Sequence, residues 1–189
     1  MEAVVEGFQR LQLDGKVRAY GVSTSNFDYL QAFNKDNRAS ILQIDYSLLH
    51  RMPEKDIFPY CQEHDLGILV RGPLAMGILA SKFTAETIFP DNDFRKRWHE
   101  NPEEYQIFLR DLEKVEQLRP LAQDRSMAQL ALQFAITHPA VTCVIPGAKT
   151  VRQLEENTAA AALPPLSPAE LETINTITPQ GGGRKIWPA

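Results

Sequence analysis

Four short apolar runs, each followed closely by a helical pattern, constrain this chain more than any other feature. They are 17–23 (VRAYGVS), 41–46 (ILQIDY), 66–70 (LGILV) and 141–145 (VTCVI). Strands that alternate with helices imply a parallel sheet joined by right-handed crossovers. Four such units fit either a small open sheet or part of a (β/α)8 barrel. A complete barrel needs about 250 residues, and the chain has 189. The expected class is therefore α/β, a partial (β/α)8 barrel of about four βα units preceded by one helix. The whole chain, 1–189, reads as one domain.

The leading helix is expected over 1–14, with Val4, Phe8 and Leu11 on one face and Gly15 as its C-terminal cap. Thr24, Ser25 and Asn26 offer caps for a short helix carrying Phe27, Leu30 and Phe33. A helix over 54–64 buries Ile57, Phe58 and Cys61. The apolar run 66–70 reads as a strand buried on both faces. Residues 72–101 form a long connection of the kind that serves as a lid or binding loop. A helix follows over 102–123, which Pro120 should kink or end. Two more begin at capping boxes, Ser126 with Gln129 and Ser167 with Glu170. The segment 178–189 reads as an irregular tail.

Composition excludes several classes. The net charge of −4 lacks the basic bias of a nucleic-acid binder. No apolar run reaches a membrane span, and MEAVVEGFQR lacks the regions of a signal peptide. No CxxC or HExxH spacing suggests a metal. Cys61 and Cys143 lie in apolar segments, as two buried reduced thiols of a cytoplasmic protein would.

Ligands of parallel α/β folds bind at the carboxyl ends of the strands. Those ends carry Ser23-Thr24, Gln43 with Asp45-Tyr46, Arg71-Gly72-Pro73 and Pro146-Gly147-Ala148. Ser23 and Gln43 are suited to a carboxamide, and Arg71 to stacking on an aromatic ring. Gly72 and Gly77 permit close backbone approach, and Lys82 and Lys149 can pair with phosphates. After the fourth strand, Thr150 is a good N-cap, with Gln153 in the capping-box position. That helix start suits an anion, although a plain capped helix has the same pattern.

The blocks GKVRAYGVST, LQIDYSLLHR, GILVRGPLAMGILASKF, FPDNDFR, AQLALQFAITHPAVTCVIPGAKTVRQLEEN and LSPAEL together resemble the aldo-keto reductases, in order and across nearly the whole chain. The resemblance implies a barrel that binds NADP(H) extended along its rim, without the GxGxxG of other dinucleotide folds, and that interconverts aldehydes or ketones with alcohols. Ser23 and Gln43 match groups that hold the nicotinamide carboxamide, although Thr24 stands where an Asn is usual. Arg71 stands where many members place an aromatic residue against the nicotinamide. Gly72, Leu74, Met76 and Gly77 match the pyrophosphate loop. Gly147, Ala148, Lys149, Gln153, Glu156 and Asn157 match the adenosine and 2′-phosphate site. Gln153 replaces an Arg often found there, which keeps NAD(H) open beside NADP(H).

The family's catalytic Asp, Tyr, Lys and His lie on strands that this chain does not match. It resembles the carboxyl-terminal half of the barrel, so no catalytic residue is assigned. His50, His64, His99 and His138 read as structural or solvated. Phe94 and Trp98 are candidates for a substrate pocket or for the core. The uncovered strand edges imply self-association or a complementary amino-terminal half. Two other readings stand beside the reductase: a nucleotide-binding or interaction module without chemistry, and a truncated product without activity.

Overall fold

The computed structural model describes residues 1–186. Its centre is a parallel sheet of β1 (Gly21–Ser23), β2 (Ile41–Asp45), β3 (Gly67–Arg71) and β4 (Val141–Ile145), side by side in chain order. Helix α1 (Glu2–Leu13) precedes β1, α2 (Phe27–Phe33) leads to β2, and α3 (Ile57–Glu63) leads to β3. Between β3 and β4 lie α4 (Arg97–Glu100), α5 (Pro102–Leu118) and α6 (Met127–Thr137); α7 (Val151–Ala159) and α8 (Pro168–Ile177) follow β4.

The two faces of the sheet differ. Leu42, Ile44, Ile68 and Val70 point to one face and are fully buried. They join one core with Leu30 and Phe33 of α2, Phe58 and Cys61 of α3, and Leu130 and Phe134 of α6. The alternate residues stand on the other face, where Ile41 and Ile145 are each 43% exposed. Strand β3 is therefore not buried on both faces as its apolar run suggests; burial alternates along it, because among the described residues no layer covers the second face. Parallel sheets are ordinarily covered on both.

An irregularity between Ile68 and Leu69 shifts the β3–β4 register, so that Leu69 pairs with Cys143 and Arg71 with Ile145. Cys143 is consequently exposed, not a buried thiol, while Cys61 is buried as expected. Helix α1 also departs from expectation. Only Val5 is buried; Val4 and Leu11 of the apolar stripe face solvent.

Element ends follow local chemistry. Strand β1 is shorter than the run 17–23, since the N–H groups of Lys16 and Val17 donate to Leu11 O and close α1. Asn26 caps α2, accepting from Tyr29 N at 2.8 Å. The expected helix 54–64 is a 3-10 turn, Met52–Glu54, followed by α3. Helix α5 stops at Leu118, and Pro120 sits in the 3-10 turn beyond. The capping boxes at Ser126 and Ser167 both close. The 72–101 connection contains 3-10 turns and α4, and Trp98 is core, 1% exposed.

The segment after α8 is irregular but anchored. Gly183 bridges to His50, and Arg184 N–H donates to Leu49 O at 3.0 Å. The Arg184 guanidinium pairs with Asp111 at 2.7 Å. Beneath this segment, the buried Arg51 donates to both Glu54 oxygens, at 2.7 and 3.0 Å, and to Asn175 Oδ1 and Thr178 O. Tyr46 Oη donates to Glu54 Oε1 at 2.6 Å. A buried charge pair is tolerated only when its remaining donors and acceptors are satisfied, and here Asn175, the α8 C-cap Thr178 and Tyr46 satisfy them. Residues 187–189, the last of the expected tail, lie outside the described residues.

Candidate functional site

The carboxyl ends of β3 and β4 open into a cleft of about 1050 Å³, at the upper end of the roughly 300–1,000 Å³ usual for ligand sites. Its first wall is the turn after β3. Gly72 has φ +64°, and a Cβ there would stand 2.5 Å from Asp45 Oδ1. Ala75, Met76 and Gly77 continue with φ of 48°, 56° and 95°. Three successive residues in this region, two of them with side chains, cost about 1–2 kcal/mol for each non-glycine. Backbone strain of that kind persists only where surrounding contacts impose it. Here Gly77 N–H donates to Leu74 O at 2.9 Å, and Arg95 Nη1 donates to Met76 O at 3.0 Å.

Arg95 belongs to the second wall, the segment after Lys82. Its guanidinium lies over the rings of Phe83 and Phe89, at 5.2 and 5.0 Å. Asp93 accepts from Arg95 Nε and Nη2. Arg95 in turn holds the Asp93 carboxyl down at about 2, with Lys149 a lesser cause. Sequence reading gave Arg95 and Asp93 no role, although FPDNDFR was among the blocks carrying the resemblance. A side chain tying two loops together leaves no local periodicity to read.

The third wall is the start of α7. Thr150 Oγ1 accepts from Gln153 N at 3.2 Å, as an N-cap should. The reciprocal half of the capping box is displaced by one residue, since Gln153 Oε1 accepts from Lys149 N at 2.7 Å instead of Thr150 N. Asn157 Nδ2 donates to Gly147 O at 3.3 Å. No atom lies within 4 Å of where a Gly147 Cβ would stand, so the backbone there is open to the cleft.

Arg71, Gly72, Leu74, Met76, Gly77, Gly147, Ala148, Lys149, Gln153, Glu156 and Asn157 all line this cleft. Ser23 and Gln43 stand outside it, on the open face of the sheet, where Ser23 Oγ donates to Gln43 Oε1 at 3.0 Å. That bond leaves the Gln43 amide nitrogen free to donate outward. The cleft is lined by four cations, Arg71, Lys82, Arg95 and Lys149, against the carboxylates Asp93 and Glu156. A chain of net charge −4 thus gathers an excess of positive charge in this cleft, which favours a polyanion.

The other titratable groups in the core have structural roles. Tyr46 is buried, and burial with the nearby Glu54 raises its pKa far above the usual phenol value. His50 is 4% exposed, and burial first, then Lys185 and Arg71, lower its pKa to about 4. His138 packs against Phe58 and His99 against Phe108. Among the described residues no cluster of side chains suits a metal ion, and no helix is long and apolar enough to cross a membrane.

The family model for the aldo/keto reductase family matches residues 1–179. The chain belongs to this family. It is 28% identical over 180 residues to an uncharacterized oxidoreductase, YqkF, of Bacillus subtilis, covering 95% of this chain and 56% of that protein. The holo form of aldo-keto reductase AKR11C1 from Bacillus halodurans superposes with a TM-score of 0.71 at 26% identity, over 96% of this chain and 57% of that one. An aldo/keto reductase from Klebsiella pneumoniae, solved with NADP and acetate, superposes at 0.65 and 24% identity, over 93% and 53%. The chain thus spans about half the length of the proteins it matches.

Proposed function

We propose that this chain is the cofactor-holding, carboxyl-side part of an NADP(H)-dependent aldo-keto reductase barrel that interconverts an aldehyde or ketone with its alcohol. The observation that carries this reading is the cationic cleft between the Gly72–Gly77 turn and the start of α7. The open backbone at Gly147 leaves room for a pyrophosphate, and the glycines at 72 and 77 let the facing turn take its positive-φ path along the cleft. Lys149, with Lys82 opposite, supplies charge for the 2′-phosphate, and Glu156 and Asn157 line the adenosine end. Gln43, steadied by Ser23, presents its amide donors to a nicotinamide carboxamide, and Arg71 supplies a planar face. When bound, the cofactor supplies the hydride. This chain's residues hold and orient it, and Tyr46 and the buried histidines are unsuited to donate the proton. Because Gln153 is engaged with Lys149 N, Lys149 carries most of the discrimination against NAD(H).

The uncovered sheet face and the edges of β1 and β4 require a partner surface. Four further parallel strands would close the sheet into a barrel. A second copy of this chain could instead lay its own open face against this one. Self-association and a complementary four-strand half both remain as the expected cover. Light scattering at micromolar concentration tests this; a stable, cleanly folded monomer would count against any need for cover. Two free cysteines, one exposed, suit a cytoplasmic location.

The competing reading is a nucleotide-binding module without chemistry. Mixing the chain with NADPH and a panel of aldehydes, alone and with a complementary half, separates the two. Carbonyl-dependent NADPH oxidation that appears only with the added half supports the reductase reading. Saturable binding without turnover in either mixture supports the module.

A further inference from the structure

We infer that Arg95 is a positioning residue: it holds the 75–77 wall of the cleft in shape, with its own charge spent on Asp93 instead of offered to a bound anion. The inference rests on the cofactor reading above and deepens it. Ala75, Met76 and Gly77 have φ of 48°, 56° and 95°, a path that residues with side chains keep only where surrounding contacts impose it. Within the turn, Ala75 N–H donates to Gly72 O and Gly77 N–H to Leu74 O, each at 2.9 Å. Those bonds are local. The restraint from outside is Arg95, 19 residues beyond Met76, whose Nη1 donates to Met76 O at 3.0 Å. A Cβ on Gly77 would stand 3.4 Å from that nitrogen and 3.3 Å from the Phe83 ring, so the guanidinium lies directly against the turn.

Arg95 is itself moored. Its guanidinium sits over Phe83 at 5.2 Å and Phe89 at 5.0 Å, two rings that meet edge to face. Phe89 packs on Trp98, and Trp98 on Phe108 of α5, so the arginine is tied through aromatic contacts to the core. Asp93 supplies the counter-charge. Its Oδ1 accepts from Arg95 Nε at 2.9 Å, and its Oδ2 accepts from Nη2. A fork of this kind fixes the plane and direction of the guanidinium. The pair is neutral as a unit, so attraction for an anion falls to the other cations of the cleft. A planar cation with its direction fixed and its charge cancelled is arranged to place the turn, not to serve as a counter-charge for phosphate.

The test measures NADPH binding to the full chain by fluorescence titration, and adenosine 2′-monophosphate binding by displacement of NADPH. On the cofactor reading the smaller ligand occupies only the Lys149 end of the cleft and does not reach the turn. Arg95→Ala should weaken NADPH binding roughly five- to thirtyfold, the factor by which relaxing one left-handed residue depletes the competent shape of the turn. Adenosine 2′-monophosphate should weaken by less than about twofold. Arg95→Lys keeps the charge without the fork, and it should not restore NADPH affinity. Asp93→Asn removes a negative charge from the cleft, which by charge alone should tighten NADPH binding; the inference predicts that it weakens, because the fork is broken. Recovery in Arg95→Lys or tighter binding in Asp93→Asn overturns the inference. So does unchanged NADPH binding in Arg95→Ala, or an equal loss of both ligands. Failure of the unaltered chain to bind either ligand overturns the cofactor reading itself, and the inference with it.

Discussion

Replacing Gly72 with alanine probes how the turn after β3 shapes the cleft. The residue has φ +64°, and its Cβ would meet Asp45 Oδ1 at 2.5 Å. The backbone conformation alone costs an alanine about 1–2 kcal/mol. Asp45 is 2% exposed, so moving its carboxylate aside adds about 1–3 kcal/mol, as overpacking usually does. The expected loss is about 2–5 kcal/mol, which for a chain of this size lowers Tm by roughly 5–15 °C. Urea and thermal unfolding followed by circular dichroism measure it. Gly7→Ala is the internal control. Gly7 lies in α1 with nothing within 4 Å of its added Cβ, so the same chemical change should stabilise by about 0.5–1 kcal/mol. A Gly72→Ala protein within about 1 kcal/mol of the parent would refute this account of the turn.

Gly147→Ala separates fold from function. Its Cβ meets nothing, so stability should stay within about 0.5 kcal/mol while NADPH affinity falls, read by fluorescence titration. Glu54→Gln breaks a buried pair and leaves Arg51 short of its counter-charge; urea unfolding should show a loss of about 3–5 kcal/mol, and the double change Arg51→Met, Glu54→Leu should recover much of it. His50 gives a pH dependence. Its folded pKa is lowered from 6.5 to about 4, so the unfolded chain binds more protons in that window. Its stabilisation is complete above about 6.5 and falls as the pH drops towards 4, by on the order of 3 kcal/mol in all. Urea midpoints at pH 7 and 5 should differ less in His50→Gln than in the parent.

Local signals made much of the fold legible. Val141–Ile145 is bounded by Pro139-Ala140 and Pro146-Gly147, and its limits match the sequence reading. Ser126 and Ser167 each carry their partner three residues on, so both capping boxes form as read. What escaped depends on distance along the chain. Arg51 reaches Asn175, 124 residues away, and Arg184 reaches Asp111, 73 away; neither pairing leaves a periodic trace. Cys143 was misplaced because a strand's apolar composition does not say whether both faces are covered. The cleft was legible where strand ends carry glycine and lysine. Its second wall, built on Arg95 and Asp93, became visible only when the loop was folded back onto Met76.

The account's central claim is that the cleft between the Gly72–Gly77 turn and α7 holds a phosphorylated dinucleotide. Titration of the chain with NADPH, repeated with NADH and with the Lys149→Ala variant, tests it most directly. The account predicts saturable NADPH binding, displacement by adenosine 2′,5′-bisphosphate, and weaker NADH binding. It also predicts that Lys149→Ala lowers NADPH affinity roughly five- to thirtyfold, as loss of one charge-assisted phosphate contact should, while leaving NADH nearly unchanged. Absence of saturable NADPH binding, or equal losses for both cofactors in the variant, would contradict it.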